Sequence, residues 1–285
     1  MASLSNTQGA DWQEVAKIYK QLTVSVSNRP IEAMLDKANA LLPFSEATGI
    51  HDSGCGPGPV LSRLISKYGA QLPQDCTLSA SDFSSGMIEQ MEQVKKEEAD
   101  RDPSSPWSRV ETSVLDAMDL KGIEDGSKSH VTAGWVYFMT SSPQKCLAES
   151  LRVLKTGGAL TCSSWEDSQW MQLMKLVHEV RPDAPVMKIP EEWQSTRGLQ
   201  TELEQAGFSA VEAVQVEVEM HFDSYDALLD LLTTKLPHMV KTLSTWSQHE
   251  VARLRNIMEG RLREFCPTAP GKMTGVALVA VGRKA

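Results

Sequence analysis

The sequence predicts an α/β fold, a mostly parallel sheet of about seven strands with helices on both faces. Three observations predict it. Short apolar segments alternate with amphipathic ones from residue 48 to residue 180, glycine and proline fall at the junctions, and an acid ends each of the first three strands. The 285 residues, 41% hydrophobic and 23% charged, are ordinary globular material with enough length for a sizeable core.

The chain opens with two expected helices. Trp12, Val15, Ile18, Tyr19 and Leu22 recur at helical spacing. Pro30 then stands as the first residue of a second helix carrying Ile31, Met34, Leu35, Ala38, Leu41 and Leu42, which Pro43 ends. Strands are expected at 48–52, 77–81, 109–114, 129–134 and 159–165. Helices are expected at 59–68, closed by Gly69, at 84–98, at 143–155, closed by Gly157 and Gly158, and at 169–180. The last third changes character. A helix at 199–206 ends at Gly207, and a strand at 210–219 alternates Val211, Val214, Val216 and Val218. Two helices at 225–236 and 249–265 precede a final strand at 274–282, so the last two strands frame an inserted helical pair. The polar stretch 99–106 is long enough only for a surface loop, and no internal repeat is present.

Charge and cysteine usage exclude several classes. A net charge of −9 without a Lys/Arg cluster argues against nucleic acid or an anionic membrane as partner. No apolar run reaches the roughly 18 residues of a spanning helix, and the N-terminus lacks the apolar segment of a signal peptide. Cys55, Cys76, Cys146, Cys162 and Cys266 are scattered, show no metal-ligand spacing, and suit thiols in a reducing, cytoplasmic setting. The expected partner is a small molecule, and the expected state a monomer or homodimer.

The most informative stretch is IHDSGCGPGPV at 50–60. A strand runs into Asp52, then Gly54, Gly56 and Gly58 alternate, and a helix starts at Pro59. Glycines serve where backbone turns tightly and meets a ligand closely, and a helix start offers free N–H groups. The dinucleotide pattern fails because its third glycine would fall on Pro59, and the phosphate-loop Gly-Lys-Ser/Thr is missing. With no cation for phosphates, the loop fits an adenosine without a pyrophosphate. Asp82 ends the second strand 24 residues after Gly58, near the separation of about 20 at which a ribose-binding acid stands, though it can also cap the next helix. Asp116 ends the third strand beside Ala117 and Met118.

These residues resemble those of class I S-adenosylmethionine-dependent methyltransferases, from about Tyr19 to the C-terminus. The motifs are DSGCGPG at 52–58, SDFSSGM at 81–87, LDAMDL at 115–120, and LAESLRVLKTGGALTCSSW at 147–165. CGPGPV and the late helical insertion are similar to small-molecule methyltransferases of fungal natural-product pathways. The resemblance implies a Rossmann-like seven-stranded sheet in one methyltransferase domain, 1–285, with an N-terminal helical cover (1–45), a cofactor-binding core (46–180) and a helical cap insertion (220–268). It implies S-adenosyl-L-methionine as cofactor and S-adenosyl-L-homocysteine as product. Asp52, Gly54, Gly56 and Gly58 would form the loop around the methionine part, and Asp82 would bind the ribose hydroxyls. Phe83, Met87, Asp116, Ala117 and Met118 would surround the adenine. The segment 133–137, with Ala133 and Gly134 at its start, would lie near the sulfonium and the substrate, and Tyr19 would cover the cofactor. TAGWVYFMTSS at 132–142 lacks the Asn-Pro-Pro-Tyr type signature, which disfavours nucleic-acid and protein amines.

The implied reaction is methyl transfer to an O, S or N atom of a small organic substrate by in-line displacement. A pericyclic or elimination step on the same fold is the alternative. In-line displacement asks mainly for positioning in a dry pocket, and a hydroxyl acceptor also gains from a base. His238 and His221 are the candidates because the insertion should cap the pocket, with Glu166 and Asp167 as competitors and no base at all as a further option. His51 and His130 lie in strands and are expected to be structural, while His178 and His249 lie on helices. Trp165, Trp170, Met171, Met174, Trp193, Met220, Phe222, Met239, Trp246 and Met258 supply either an apolar pocket or simple core packing.

Overall fold

The computed structural model describes residues 16–186 and 188–285, with side chains from residue 26 onward. Its first element is one helix, α1 (Ala16–Leu41), in place of the expected pair over the described residues. Pro30 lies inside α1. The proline removes one N–H from the helical ladder. The buried stripe Ile31, Met34, Leu35 and Ala38, at most 2% exposed, shows what packing holds against that loss.

The core then alternates as expected: β1 (Gly49–Ser53), α2 (Pro59–Tyr68), β2 (Thr77–Asp82), α3 (Ser85–Arg101), β3 (Val110–Val114), β4 (Lys128–Ala133), α4 (Pro143–Val153), β5 (Leu154–Ser168) and α5 (Gln169–Lys175). Pro59 takes the first position of α2 after Gly58, and Val60, Leu61, Leu64, Ile65 and Tyr68 form its buried face. Fully burying a side chain such as Leu61 or Leu64 contributes about 2 kcal/mol. Two boundaries differ from the sequence reading. Gly157 lies inside β5 at φ 79°, because the chain enters the strand at Leu154 without a glycine cap on α4. The helix expected to reach 180 tightens after Lys175 into a 3₁₀ turn, Leu176–Glu179.

The remaining elements are α6 (Thr196–Gln205), β6 (Phe208–Phe222), α7 (Tyr225–Thr234), α8 (Pro237–Leu243), α9 (Gln248–Phe265) and β7 (Gly271–Lys284). The insertion thus holds three helices where two were expected. Pro237 starts α8 and does not merely break a helix, because its missing N–H costs nothing in a first turn.

All seven strands join one sheet in the order β3-β2-β1-β4-β5-β7-β6. β7 runs antiparallel to both its neighbours, and the other pairings up to β5 are parallel. The chain leaves β1 toward β2 on one side and reaches β4 on the other, so the switch point lies between the C-terminal ends of β1 and β4. In open α/β sheets that crevice receives ligands. No helix of the described residues is long and apolar enough to cross a membrane. Cys55, Cys76, Cys146 and Cys162 are buried free thiols, and Cys266 is a half-buried one.

Candidate functional site

A cavity of about 370 Å³ opens at that switch point. Its floor is the glycine loop. Gly54, Gly56 and Gly58 all take left-handed backbone, at φ 66°, 52° and 87°, where side chains are strained. Their reasons differ. A Cβ on Gly54 would collide with Val136, and one on Gly58 with the Met91 sulfur. A Cβ on Gly56 would meet no atom within 4 Å, because that position faces the open cavity. Gly54 and Gly56 line the cavity; Gly58 does not, and it stands as the N-cap of α2 with the Met91 sulfur where a Cβ would point.

Asp82 joins this loop to β2. Its Oδ2 accepts the Gly56 N–H at 2.9 Å and its Oδ1 the Ser84 N–H at 2.9 Å. Burial raises the carboxyl above its usual range, and these two N–H groups oppose the rise. Ser84, not Asp82, caps α3 by accepting from Met87. Each Asp82 oxygen therefore keeps acceptor capacity toward the cavity it lines.

Asp52 lies beneath the loop and does not line the cavity, contrary to its expected place around the ligand. It is fully buried, its Oδ1 accepts from the Thr132 hydroxyl at 2.6 Å, and its Oδ2 has no partner. Burial, followed by the negative charge of Asp82, pushes its pKa up to about 7. Ala133 is likewise fully buried at the end of β4, while Gly134 reaches the cavity. The side wall joins Phe83, 43% exposed, and Met87 to Leu115, Asp116, Ala117 and Met118. Asp116 lies beyond β3 in a turn, where its Oδ1 accepts the Met118 N–H at 2.8 Å. Tyr19 lies outside the described side chains; Val26 and Ser27 of α1 reach the cavity instead.

The opposite half is apolar. Trp135, Phe138 and Met139 follow β4, Trp165 lies within β5, and Trp170, Met171 and Met174 come from α5. Met220 of β6, Leu231 and Leu232 of α7, and Leu236 to His238 at the start of α8 complete it. The remaining large residues expected there pack elsewhere. Trp193, Phe222, Met239 and Met258 are buried core, and Trp246 lies under the Arg181 guanidinium at 5.1 Å. No lysine or arginine is among the described lining residues.

His238 faces this half, with Nε2 3.1 Å from the Met174 sulfur. Burial pushes its pKa down to about 4, so the ring is neutral at pH 7. His221 is a correction. Its side chain is 66% exposed and pairs with Glu219 at 3.4 Å, away from the cavity. Strand alternation explains this, because Val218, Met220 and Phe222 turn inward and residue 221 must turn outward. Glu166 and Asp167 are held by Gln215 and Gln172 outside the cavity. His51 is clamped between Ser79 and Ser81, and His130 between Ser129 and the Leu42 carbonyl, as structural groups.

Comparison with known proteins agrees with this geometry. Residues 51–162 match the model of the methyltransferase domain family. The chain is 37% identical over 272 residues to methyltransferase ucsB of an Acremonium species, covering 95% of this chain and 94% of that protein. It is 22% identical to the acetylaranotin bis-thiomethyltransferase of Aspergillus terreus, covering 95% of both. Among solved structures, the fold is similar to phosphoethanolamine N-methyltransferase 2 of Haemonchus contortus, with a TM-score of 0.57 at 15% identity over 100% of this chain and 60% of that one. It is also similar to the YcgJ protein of Bacillus subtilis, with a TM-score of 0.56 at 16% identity over 90% of this chain and 97% of that one. The glycine loop, the acid ending β2 and the relatives covering nearly the whole chain lead to one conclusion: the chain belongs to the class I S-adenosylmethionine-dependent methyltransferases.

Proposed function

We propose that the protein methylates a small, uncharged organic acceptor, with the cofactor held at the glycine-loop end and the acceptor at the tryptophan end. The observation that carries this reading is the division of one cavity into a half of backbone and carboxylate and a half of indoles and thioethers. The residues present fit S-adenosylmethionine. Gly56 leaves ligand space where a side chain would stand, Asp82 offers two acceptors for ribose hydroxyls, and Phe83, Met87, Ala117 and Met118 give an apolar slot for adenine. Asp116 stands at the rim to accept from the adenine amino group, and Gly134 lies at the joint of the two halves. A cavity with two carboxylates and no lysine or arginine among its described lining suits a cationic sulfonium and disfavours a phosphate or carboxylate acceptor.

When bound, the cofactor supplies an electrophilic methyl group, which passes to the acceptor atom as the sulfur–carbon bond breaks and its electron pair returns to sulfur. The chain's own part is to hold the acceptor in line and keep water out. His238 accepts a hydrogen bond from the acceptor and orients it. The acceptor O–H becomes strongly acidic as its oxygen takes the methyl, so the neutral His238 ring takes that proton and, with a pKa of about 4, gives it up to solvent when the product leaves. The whole chain, 1–285, works as one catalytic unit in this reading. Segment 1–45 covers the cofactor and 220–268 caps the acceptor. Five free thiols suit a cytoplasmic setting. The test is mass spectrometry of a panel of neutral secondary metabolites incubated with enzyme and S-adenosylmethionine. Gain of one CH₂ with matching S-adenosylhomocysteine supports the reading. Conversion without methyl gain, with cofactor unconsumed, points instead to another reaction on this fold.

A further inference from the structure

Trp135 is unusual in its backbone. Among the described residues only Trp135, at φ 57°, and Ala210, at φ 49°, are non-glycine residues with positive φ. Ala210 sits where the β6–β7 register shifts, so a bulge accounts for it. No strand irregularity accounts for Trp135, which follows the end of β4 at the cavity wall. A bulky side chain there is strained, and such strain persists at sites where the surroundings over-determine the conformation. The Trp135 indole N–H is also buried without a partner among the described residues. Glycine would remove both features.

The surroundings hold the indole in one place. The Trp135 N–H of the backbone donates to Ser163 Oγ at 3.0 Å. On either side, Gly134 meets Val60 and Val136 meets Gly54, so the segment is pressed against the glycine loop and its helix. The Trp135 ring stacks on Trp165 with centroids 5.5 Å apart at 28°, and Trp170 meets Trp165 edge-on at 5.3 Å and 87°. Trp135 packs against both hydrophobic clusters of the core, which places it at the joint of the two cavity halves. The facing wall is made of Met171, Met174, Met220 and His238. His238 is the ionisable side chain of that half among the described residues, and its Nε2 meets the Met174 thioether, a weak partner.

We infer that the acceptor is a neutral planar aromatic compound bearing a hydroxyl, lying along the Trp135–Trp165 stack with that hydroxyl toward His238. Trp135 then determines specificity. Its strained backbone sets a flat indole beside the place of the reacting methyl, flat rings and thioethers favour a flat partner, and a hydroxyl satisfies the imidazole better than a thiol. This inference rests on the cofactor assignment proposed above.

The test separates the two. S-adenosylhomocysteine is first titrated into wild type, Trp135→Gly, Trp135→Phe and Trp165→Leu, with thermal unfolding as the check on folding. Naphthol and its saturated analogue decahydronaphthol are then titrated into the S-adenosylhomocysteine-loaded proteins. Wild type is expected to bind naphthol about tenfold more tightly than decahydronaphthol. Trp135→Gly is expected to keep its S-adenosylhomocysteine affinity within about threefold of wild type and to lose the preference, while Trp135→Phe retains most of it. Trp165→Leu supplies the same comparison with the backbone of residue 135 untouched. Equal binding of the two probes to wild type, absence of naphthol binding, or an undiminished preference in Trp135→Gly and Trp165→Leu overturns the inference. Failure of S-adenosylhomocysteine to bind wild type overturns the cofactor assignment beneath it.

Discussion

At the glycine-loop end of the cavity, contacts are offered by backbone and two carboxylates, Asp82 and Asp116; at the opposite end, by indoles, thioethers and one imidazole. The first end is narrow in chemistry. Gly56 must stay bare, and Asp82 is fixed by the N–H of Gly56, which ties it to the loop, and by the N–H of Ser84. The second end is assembled from β4, β5, α5, β6, α7 and α8, and its large flexible residues can be exchanged without touching the loop. The difference teaches which substitutions change binding of any ligand of one kind and which change the choice of acceptor.

Substitutions at both ends and beneath the loop probe that division. The largest effect is expected for Asp82→Ala, which removes two ribose acceptors and the anchor that holds the loop at Gly56. Affinity for S-adenosylmethionine should fall by about 3 kcal/mol, roughly 150-fold, in calorimetric titration. Met174→Ala, at the other end, should leave that affinity unchanged while altering acceptor kcat/KM.

Next comes Gly58→Ala. A side chain there meets the Met91 sulfur at a backbone angle unsuited to alanine, and denaturant unfolding should show a loss of about 2–3 kcal/mol. Asp52→Asn should flatten the pH dependence of stability. Asp52 has a folded pKa of about 7 against an ordinary value of 3.8, so the folded state holds its proton more tightly. The stabilisation is full below pH 3.8 and is lost as pH rises through 7. Unfolding at pH 5 and pH 8 should show wild type losing about 2 kcal/mol relative to Asp52→Asn. The smallest effect is expected for His238→Gln, which keeps a hydrogen-bonding group. Acceptor kcat/KM should fall about fivefold with cofactor affinity unchanged. The wild-type rate should show no inflection near pH 6.5 from this ring, because it titrates near 4.

The first half of the cavity was far more legible in the sequence than the second. Asp82, Phe83, Met87 and the 116–118 loop are contiguous with strand ends, so local pattern alone places them together. Three alternating glycines look equivalent in one dimension, whereas their surroundings tell them apart: a Cβ would meet Val136 at Gly54 and Met91 at Gly58. The acceptor half draws on residues from 135 to 238, brought together by the antiparallel edge and the insertion. Helical or strand periodicity says nothing of such long-range meetings. His221 is an exception, since the alternation of Val218, Met220 and Phe222 already turns it outward. The resemblance puts the segment 133–137 beside the substrate, but the strained backbone angle of Trp135 is not written in composition or spacing.

The most direct measurement of the divided cavity is calorimetric titration of S-adenosylmethionine into wild type and Gly56→Ala, with thermal unfolding of both. The Cβ of alanine at 56 meets no protein atom within 4 Å, so folding should lose only about 1 kcal/mol from the backbone angle. Wild type should bind, and Gly56→Ala should bind at least about 30-fold more weakly. Equal affinity of the two proteins, or no binding to wild type, would contradict the placement of the cofactor on the glycine loop.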